Sequence, residues 1–280
     1  MSILIADSGS TKAEWCFISD GRKKFIETQG ASPYFLSETQ LLSLFQQELR
    51  PHLKGKIPDK IFFYGTGCAA AANRALVKKA IKNIFPQALI YVDHDLTGAA
   101  RALCGKKEGI VAILGTGSNS GFYNGKKITR NSPGLGYVLG DEGSGAYLGK
   151  KVLQYFLYKI FDEDLRQRFI NKYQVDAAEI LNSVYKKPLP NRYISAFTLF
   201  LAENRGHYMI ENILEDGLWD FFSIHLARYP ESGKVPVYFT GSVAFGFKDI
   251  LQDLCKNFKW KAGRILAKPI EGLIEYHKMD

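Results

Sequence analysis

The chain has 280 residues, 46% of them hydrophobic and 23% charged, with 37 basic against 28 acidic side chains and a formal net charge of +9. That length suits two domains of roughly 100–170 residues each, and the balance excludes a disordered or fibrous chain. Cys16, Cys68, Cys104 and Cys255 stand far apart with no C-x-x-C pair, so a zinc site or disulfide framework is not expected and a reducing cytoplasm suits the thiols.

In chain order, Ile3-Leu4-Ile5-Ala6 is predicted as a strand that turns through Asp7-Ser8-Gly9-Ser10-Thr11-Lys12 and returns through Trp15-Cys16-Phe17-Ile18. Ser37 with Gln40 reads as a capping box for a helix that buries Leu41, Leu42, Leu44, Phe45 and Leu49. Residues 60–64 form a short strand ending in Gly65-Thr66-Gly67, and an alanine-rich helix spans 68–84. Another strand, 89–92, has Asp93-His94-Asp95 at its C-terminal end, ahead of a helix over 96–103. The polar, glycine-bounded segment from Gly105 to Gly109 is the expected domain boundary.

Beyond it, Ile110–Leu114 runs into Gly115-Thr116-Gly117-Ser118-Asn119 and out through Gly121-Phe122-Tyr123, repeating the opening design. A glycine-rich stretch from Pro133 to Gly145 precedes helices predicted over 146–161, 164–173, 176–185, 193–204 and 207–229. The last of these, with Ile210, Ile213, Leu214, Leu218, Phe221, Phe222 and Leu226, is assigned to packing. A late strand, Val237-Tyr238-Phe239, ends in Thr240-Gly241-Ser242.

Glycine lets a backbone approach a bulky anion, and Ser and Thr hydroxyls add donors. Three glycine-hydroxyl turns at strand ends therefore point to a polyphosphate held by two related halves. Asp7-x-Gly9-x-Thr11-Lys12 lies in a hairpin and lacks Walker spacing. Read as a phosphate loop, its Gly9, Ser10 and Thr11 hold phosphates, Lys12 neutralises charge, and Asp7 holds magnesium through water; the plainer reading is a hairpin turn. In open α/β sheets ligands gather beyond the carboxyl ends of strands, where Thr66, Asp95 and Thr116 fall. The basic residues are dispersed in pairs such as Lys78-Lys79 and Lys126-Lys127, a solvated surface rather than a nucleic-acid site. A strand begins at once and no apolar run nears spanning length, so neither a signal peptide nor a membrane segment is expected.

The order Asp-x-Gly-x-Thr, isolated strand-end Asp, Gly-Thr-Gly-Ser, Gly-Asp-Glu-Gly-Ser and late Gly-Ser resembles the sugar kinase, actin and heat-shock chaperone ATPase superfamily. Within it, residues 113–119 and 139–144 closely resemble N-acetylglucosamine kinases of the BadF/BadG type, and the resemblance spans nearly the whole chain. It implies an α/β fold of two related ribonuclease H-like (actin-like ATPase) domains with a cleft between them. Residues 1–106, joined by the last helix at about 268–280, form one, and 107–267 the other.

The activity implied is transfer from ATP, with magnesium, to the 6-hydroxyl of an amino sugar, N-acetylglucosamine first, by a cytoplasmic enzyme. A homodimer is implied, with no nucleic-acid or membrane partner. Asp95 matches the general base; a helix N-cap is its structural alternative, and Asp93 its competitor. Asn119 and Asp141 match sugar ligands, with Ser32, Thr66 and Ser118 beside them, and Gly134 and Gly136 match the wall of the sugar pocket. Gly115, Thr116 and Gly117 match the second phosphate turn, and Gly241 and Ser242 the adenosine-side loop. Glu142 is open between a structural role and a second sugar contact.

One departure concerns specificity. Relatives usually carry an asparagine where Ser32 or Pro33 falls here, and a hydroxyl cannot reproduce a bidentate amide; the choice among N-acetylglucosamine, glucosamine and a related sugar stays open. Tyr34-Phe35 reads as a buried aromatic pair, with stacking on a sugar face as the alternative. Two other functions compete with the kinase. One is an activator ATPase of the same broad family, with an iron–sulfur cluster; the other is a non-catalytic sugar sensor.

Overall fold

The computed structural model describes residues 2–132 and 134–278; Met1, Pro133 at the head of the glycine-rich stretch, and the last two residues of the 268–280 segment lie outside them. The chain divides into two compact units, residues 1–106 with 268–280, and residues 107–267.

In the first unit, β1 (Ile3–Ser8), β2 (Lys12–Ser19) and β3 (Arg22–Gln29) form an antiparallel meander, and β4 (Lys60–Gly65) and β5 (Leu89–His94) extend it in parallel, giving the order β3-β2-β1-β4-β5. Alternation along the strands sends Leu4, Ala6, Trp15 and Phe63 into one core, under α1 (Glu38–Leu44) and α2 (Ala71–Ile84). Ile5, Cys16 and Tyr64 face the other way, onto a core with α3 (Asp95–Cys104) and the C-terminal helix Ile270–Lys278. The Ser37–Gln40 capping box is present, but the helix passes into a π-turn at Phe45–Leu49 and a 3₁₀ turn at Arg50–Leu53.

The second unit repeats that topology. β6 (Glu108–Leu114), β7 (Ser118–Asn124) and β8 (Ile128–Ser132) form the meander, and β9 (Val237–Thr240) and β10 (Ala262–Leu266) the parallel extension, in the order β10-β9-β6-β7-β8. Between β8 and β9 lie α4 (Gly136–Leu139), α5 (Gly145–Leu157), α6 (Glu163–Tyr173), α7 (Ala177–Tyr185), α8 (Pro190–Ser195), α9 (Thr198–Glu203) and α10 (Tyr208–Ile224); α11 (Ser242–Gly246) and α12 (Lys248–Asn257) follow β9. The helix expected over 193–204 is two, α8 and α9, and the first starts earlier than expected because Pro190 fits the first turn of a helix. The helix expected over 207–229 ends at Ile224 and continues as a 3₁₀ turn, Leu226–Arg228.

α3 and the C-terminal helix touch backbone to backbone: a Cβ on Gly272 would lie 2.3 Å from the Ala102 carbonyl oxygen. Gly272→Val is expected to lower unfolding stability by about 1–3 kcal/mol, measured by chemical denaturation; an unchanged midpoint would show that these helices part without cost.

Candidate active site

β1, β4 and β5 are parallel neighbours in register, Asp7 beside Tyr64 beside Asp93, so their C-terminal ends deliver Asp7, Thr66 and Asp95 to one edge of the sheet. The Thr66 hydroxyl donates to Asp95 Oδ2 at 2.6 Å, and the Thr66 amide donates to the Ser8 carbonyl at 2.9 Å. Asp95 Oδ1 accepts the Leu96 amide at 2.7 Å and lies 3.0 Å from His94 Nε2. α3 begins at Asp95, with His94 in the N-cap position; the carboxylate therefore sits at the positive end of the helix, where an anion is favoured. Asp93 is engaged locally, accepting from the His94 amide at 2.8 Å and the Thr97 hydroxyl at 3.3 Å.

Burial, with the charges of Asp95 and Glu14 added, pushes the Asp7 carboxyl up to about 7. A buried carboxyl beside the negative charge of Asp95 suits a cation, which reverses the penalty. Among the described residues no cluster of three or more His, Cys, Asp or Glu could hold a metal; magnesium here fits Asp7 with water and phosphate oxygens completing its shell.

The first turn is braced from behind. Gly30 donates its amide to Thr11 O at 3.1 Å, Ala31 donates to Ser8 Oγ at 2.9 Å, and a Cβ on Gly30 would meet the Gly9 carbonyl at 2.4 Å. Lys12 ion-pairs with Glu27 and lies 4.0 Å from Glu14. Ser32 is buried and its hydroxyl faces Gly67: a Cβ there would lie 3.1 Å from Ser32 Oγ and 3.0 Å from the Tyr34 ring. Tyr34 and Phe35 are not the buried pair expected from sequence; they are 66% and 57% exposed, because the Ser32 carbonyl accepts the Phe35 and Leu36 amides and turns the segment outward.

In the second unit the Gly115–Gly117 turn docks on the start of α5, whose Gly145 and Ala146 amides donate to the Gly115 and Thr116 carbonyls at 2.8 and 3.0 Å. Gly241 has φ +115 and presses on the same turn; a Cβ there would meet Leu114 O at 2.2 Å and Gly115 N at 3.2 Å. Asp141, in a left-handed conformation with φ +58, accepts the Gly136 amide at 3.2 Å and also the Ser118 amide. Burial raises its pKa against the lowering by those amides. Cβ atoms on Gly117 and Gly134 would lie 2.8 and 2.5 Å from its oxygens. Gly117, Ser118, Gly134, Gly136 and Asp141 are thus one cluster, in which the carboxylate ties the hairpin turn to the glycine-rich stretch. Asn119 accepts from Asn131 Nδ2 at 2.8 Å.

Ser118 Oγ and Thr240 Oγ1 are buried without a hydrogen-bond partner among the described residues. An unsatisfied buried hydroxyl costs about 1–3 kcal/mol, so two of them at the strand-end turns, with open space over Gly115, suit a polar ligand such as a nucleotide. A cavity of about 450 Å³ lined by Lys23, Lys24 and Lys54 lies elsewhere in the first unit, by the β2–β3 turn, and contributes none of these residues.

A Porphyromonas gingivalis protein of solved structure, proposed to be an N-acetylglucosamine kinase, is 37% identical and superimposes with a TM-score of 0.96, 99% of each chain being covered. The chain belongs to the N-acetylglucosamine kinase-like family. Membership makes it a sugar kinase with the two-domain actin-like ATPase fold. The N-acetylmuramic acid/N-acetylglucosamine kinase of Clostridium acetobutylicum is 24% identical over 231 residues, covering 77% of this chain and 75% of that one. A Chromobacterium violaceum protein, also proposed to be an N-acetylglucosamine kinase, shares the fold at 17% identity, with a TM-score of 0.72 and 98% of each chain covered. No family model matches the chain.

An acid whose folded pKa is raised, here from 3.8 to about 7, contributes full stability at low pH and loses it as pH rises through that window. Asp7→Asn is therefore expected to stabilise metal-free protein at pH 8 by on the order of a few kcal/mol and by little at pH 4. Denaturation in EDTA at both pH values measures this; an equal gain at both would contradict it.

Proposed function

We propose that the chain transfers the terminal phosphoryl group of ATP to the 6-hydroxyl of an amino sugar, N-acetylglucosamine first. The observation that carries this is the Asp95 carboxylate, fixed by the Thr66 hydroxyl and the Leu96 amide at a strand end. Asp95 takes the proton of the 6-hydroxyl as the sugar oxygen bonds to phosphorus and the bond to the ADP oxygen breaks. Thr66 holds the carboxylate in place. Ser10 and Thr11, with the Gly9 turn, and Gly115–Gly117 supply donors to phosphate oxygens, and Asp7 holds magnesium, which neutralises charge on the transferring group. Ser118, Asn119 and the Asp141 cluster face the sugar hydroxyls, and Gly241 and Ser242 the adenosine side.

The names of the Porphyromonas and Clostridium relatives support the sugar class. Ser32 offers one hydroxyl where relatives usually place an amide, so the acceptor's N-acetyl group is held by fewer bonds and glucosamine competes better. The activator-ATPase reading is disfavoured by the cysteines. All are buried and unbridged, and burial pushes Cys68, Cys104 and Cys255 up to about 12 and Cys16 to about 11, protonated thiols unsuited to a cluster. Among the described residues no helix is long and apolar enough to cross a membrane, and we place the reaction in the cytoplasm.

A coupled ADP-release assay over a panel of amino sugars tests the reading. Asp95→Asn is expected to retain nucleotide binding and lose roughly 10²–10⁴-fold in turnover. Turnover within a few-fold of wild type would remove Asp95 as the base.

A further inference from the structure

The stretch from Gly134 to Glu142 has little packing of its own. Leu135, Val138 and Leu139 are 63%, 68% and 76% exposed, and α4 within it is a single turn. Besides Tyr137, which packs on the core, and the Asp141 carboxylate, which ties it to the hairpin turn, it is held at its two ends by residues at and just after the end of α10. At the exit, Glu142 Oε2 is 2.9 Å from His225 Nε2, and Gly143 packs on Phe221, where a Cβ would meet the Phe221 Cβ at 2.8 Å. At the entry, Ser132 Oγ is 2.8 Å from His225 Nδ1, and the Ser132 amide donates to the Tyr229 hydroxyl at 2.8 Å. Tyr229 is itself anchored to Ser120 Oγ at 2.9 Å. Phe221 lies in the last turn of α10, His225 caps that helix and Tyr229 follows the 3₁₀ turn after it, and His225 touches both ends of the stretch.

We propose that His225 is a positioning residue for sugar binding: a clasp whose two ring nitrogens hold the entry and exit of the glycine-rich stretch, and through it the Asp141 cluster. The chemistry suits the task. A carboxylate oxygen accepts from a ring N–H at Nε2, and a serine hydroxyl, which can donate or accept, suits Nδ1 whichever role that nitrogen takes. The rigid ring lies almost fully buried beside Phe221, with 5.2 Å between ring centroids, so one fixed group presents both nitrogens to the two ends. Glu142 is thereby occupied by protein, which assigns it to the clasp rather than to a second sugar contact. The proposal rests on the reading of Gly134, Gly136 and Asp141 as the sugar side of the site.

Two readouts separate the clasp from that reading. Hydrogen exchange needs no activity: His225→Ala is expected to speed exchange of the amides from Gly134 to Glu142 by ~10-fold or more, while β6 and α5 keep wild-type protection. In kinetics, the same variant is expected to raise KM for the amino sugar ~10-fold or more, with KM for ATP within about twofold. Ser132→Ala, which removes one hydroxyl and leaves the ring in place, is expected to give a smaller change of the same kind. It carries the test if His225→Ala does not fold. Wild-type exchange across the stretch in a folded variant, or equal rises in both KM values, would overturn the clasp. Faster exchange in a chain that phosphorylates no amino sugar would uphold the mechanical role and overturn the sugar reading instead.

Discussion

The hydrogen bond from Thr66 to Asp95 depends on three strands running parallel side by side. Only that order puts the ends of β1, β4 and β5 at one edge of the sheet, and only there can a hydroxyl from one turn fix a carboxylate from the next. Asp7 is raised first by its burial, and the same order adds the charge of Asp95 to that rise. A carboxylate held by its neighbour's hydroxyl, and a second, buried carboxyl that feels its charge, come from one topological fact.

The second unit has the same sheet order and puts it to a different use. Among the described residues its strand ends carry no such carboxylate pair; they carry backbone. Gly241 lies against the Gly115 turn and α5 caps it with amides. Asp141 spends its oxygens on the Ser118 and Gly136 amides. One repeated design carries acids in one unit and backbone donors in the other, and the proposed phosphoryl transfer would call on both a base and stabilisation of spreading negative charge.

Much of this was legible in the sequence, because strand-end turns announce themselves by composition. The two hairpins, the Ser37–Gln40 cap, and the placing of Asp95 after β5 all follow from local patterns. What was not legible depends on residues distant in the chain. Gly30 braces the first turn, and a single glycine after a polar strand gives no hint of that. β3 and β8 are polar edge strands, which lack apolar alternation because one edge faces solvent. Asp141 reads as a free ligand until the left-handed backbone turns its carboxylate onto amides. His225 caps a helix whose apolar stripe spoke only of packing, and the outward turn of Tyr34 and Phe35 is set by bonds to the Ser32 carbonyl.

The central claim is that Asp95 receives the sugar's proton while the first turn holds the phosphate. A crystal structure with a non-hydrolysable ATP analogue, magnesium and N-acetylglucosamine tests it most directly. The sugar's 6-hydroxyl is expected within hydrogen-bond reach of Asp95 and the terminal phosphate against the Gly9–Thr11 amides. A sugar bound with its 6-hydroxyl turned away from Asp95, or a phosphate that leaves the Gly9–Thr11 turn bare, would contradict it.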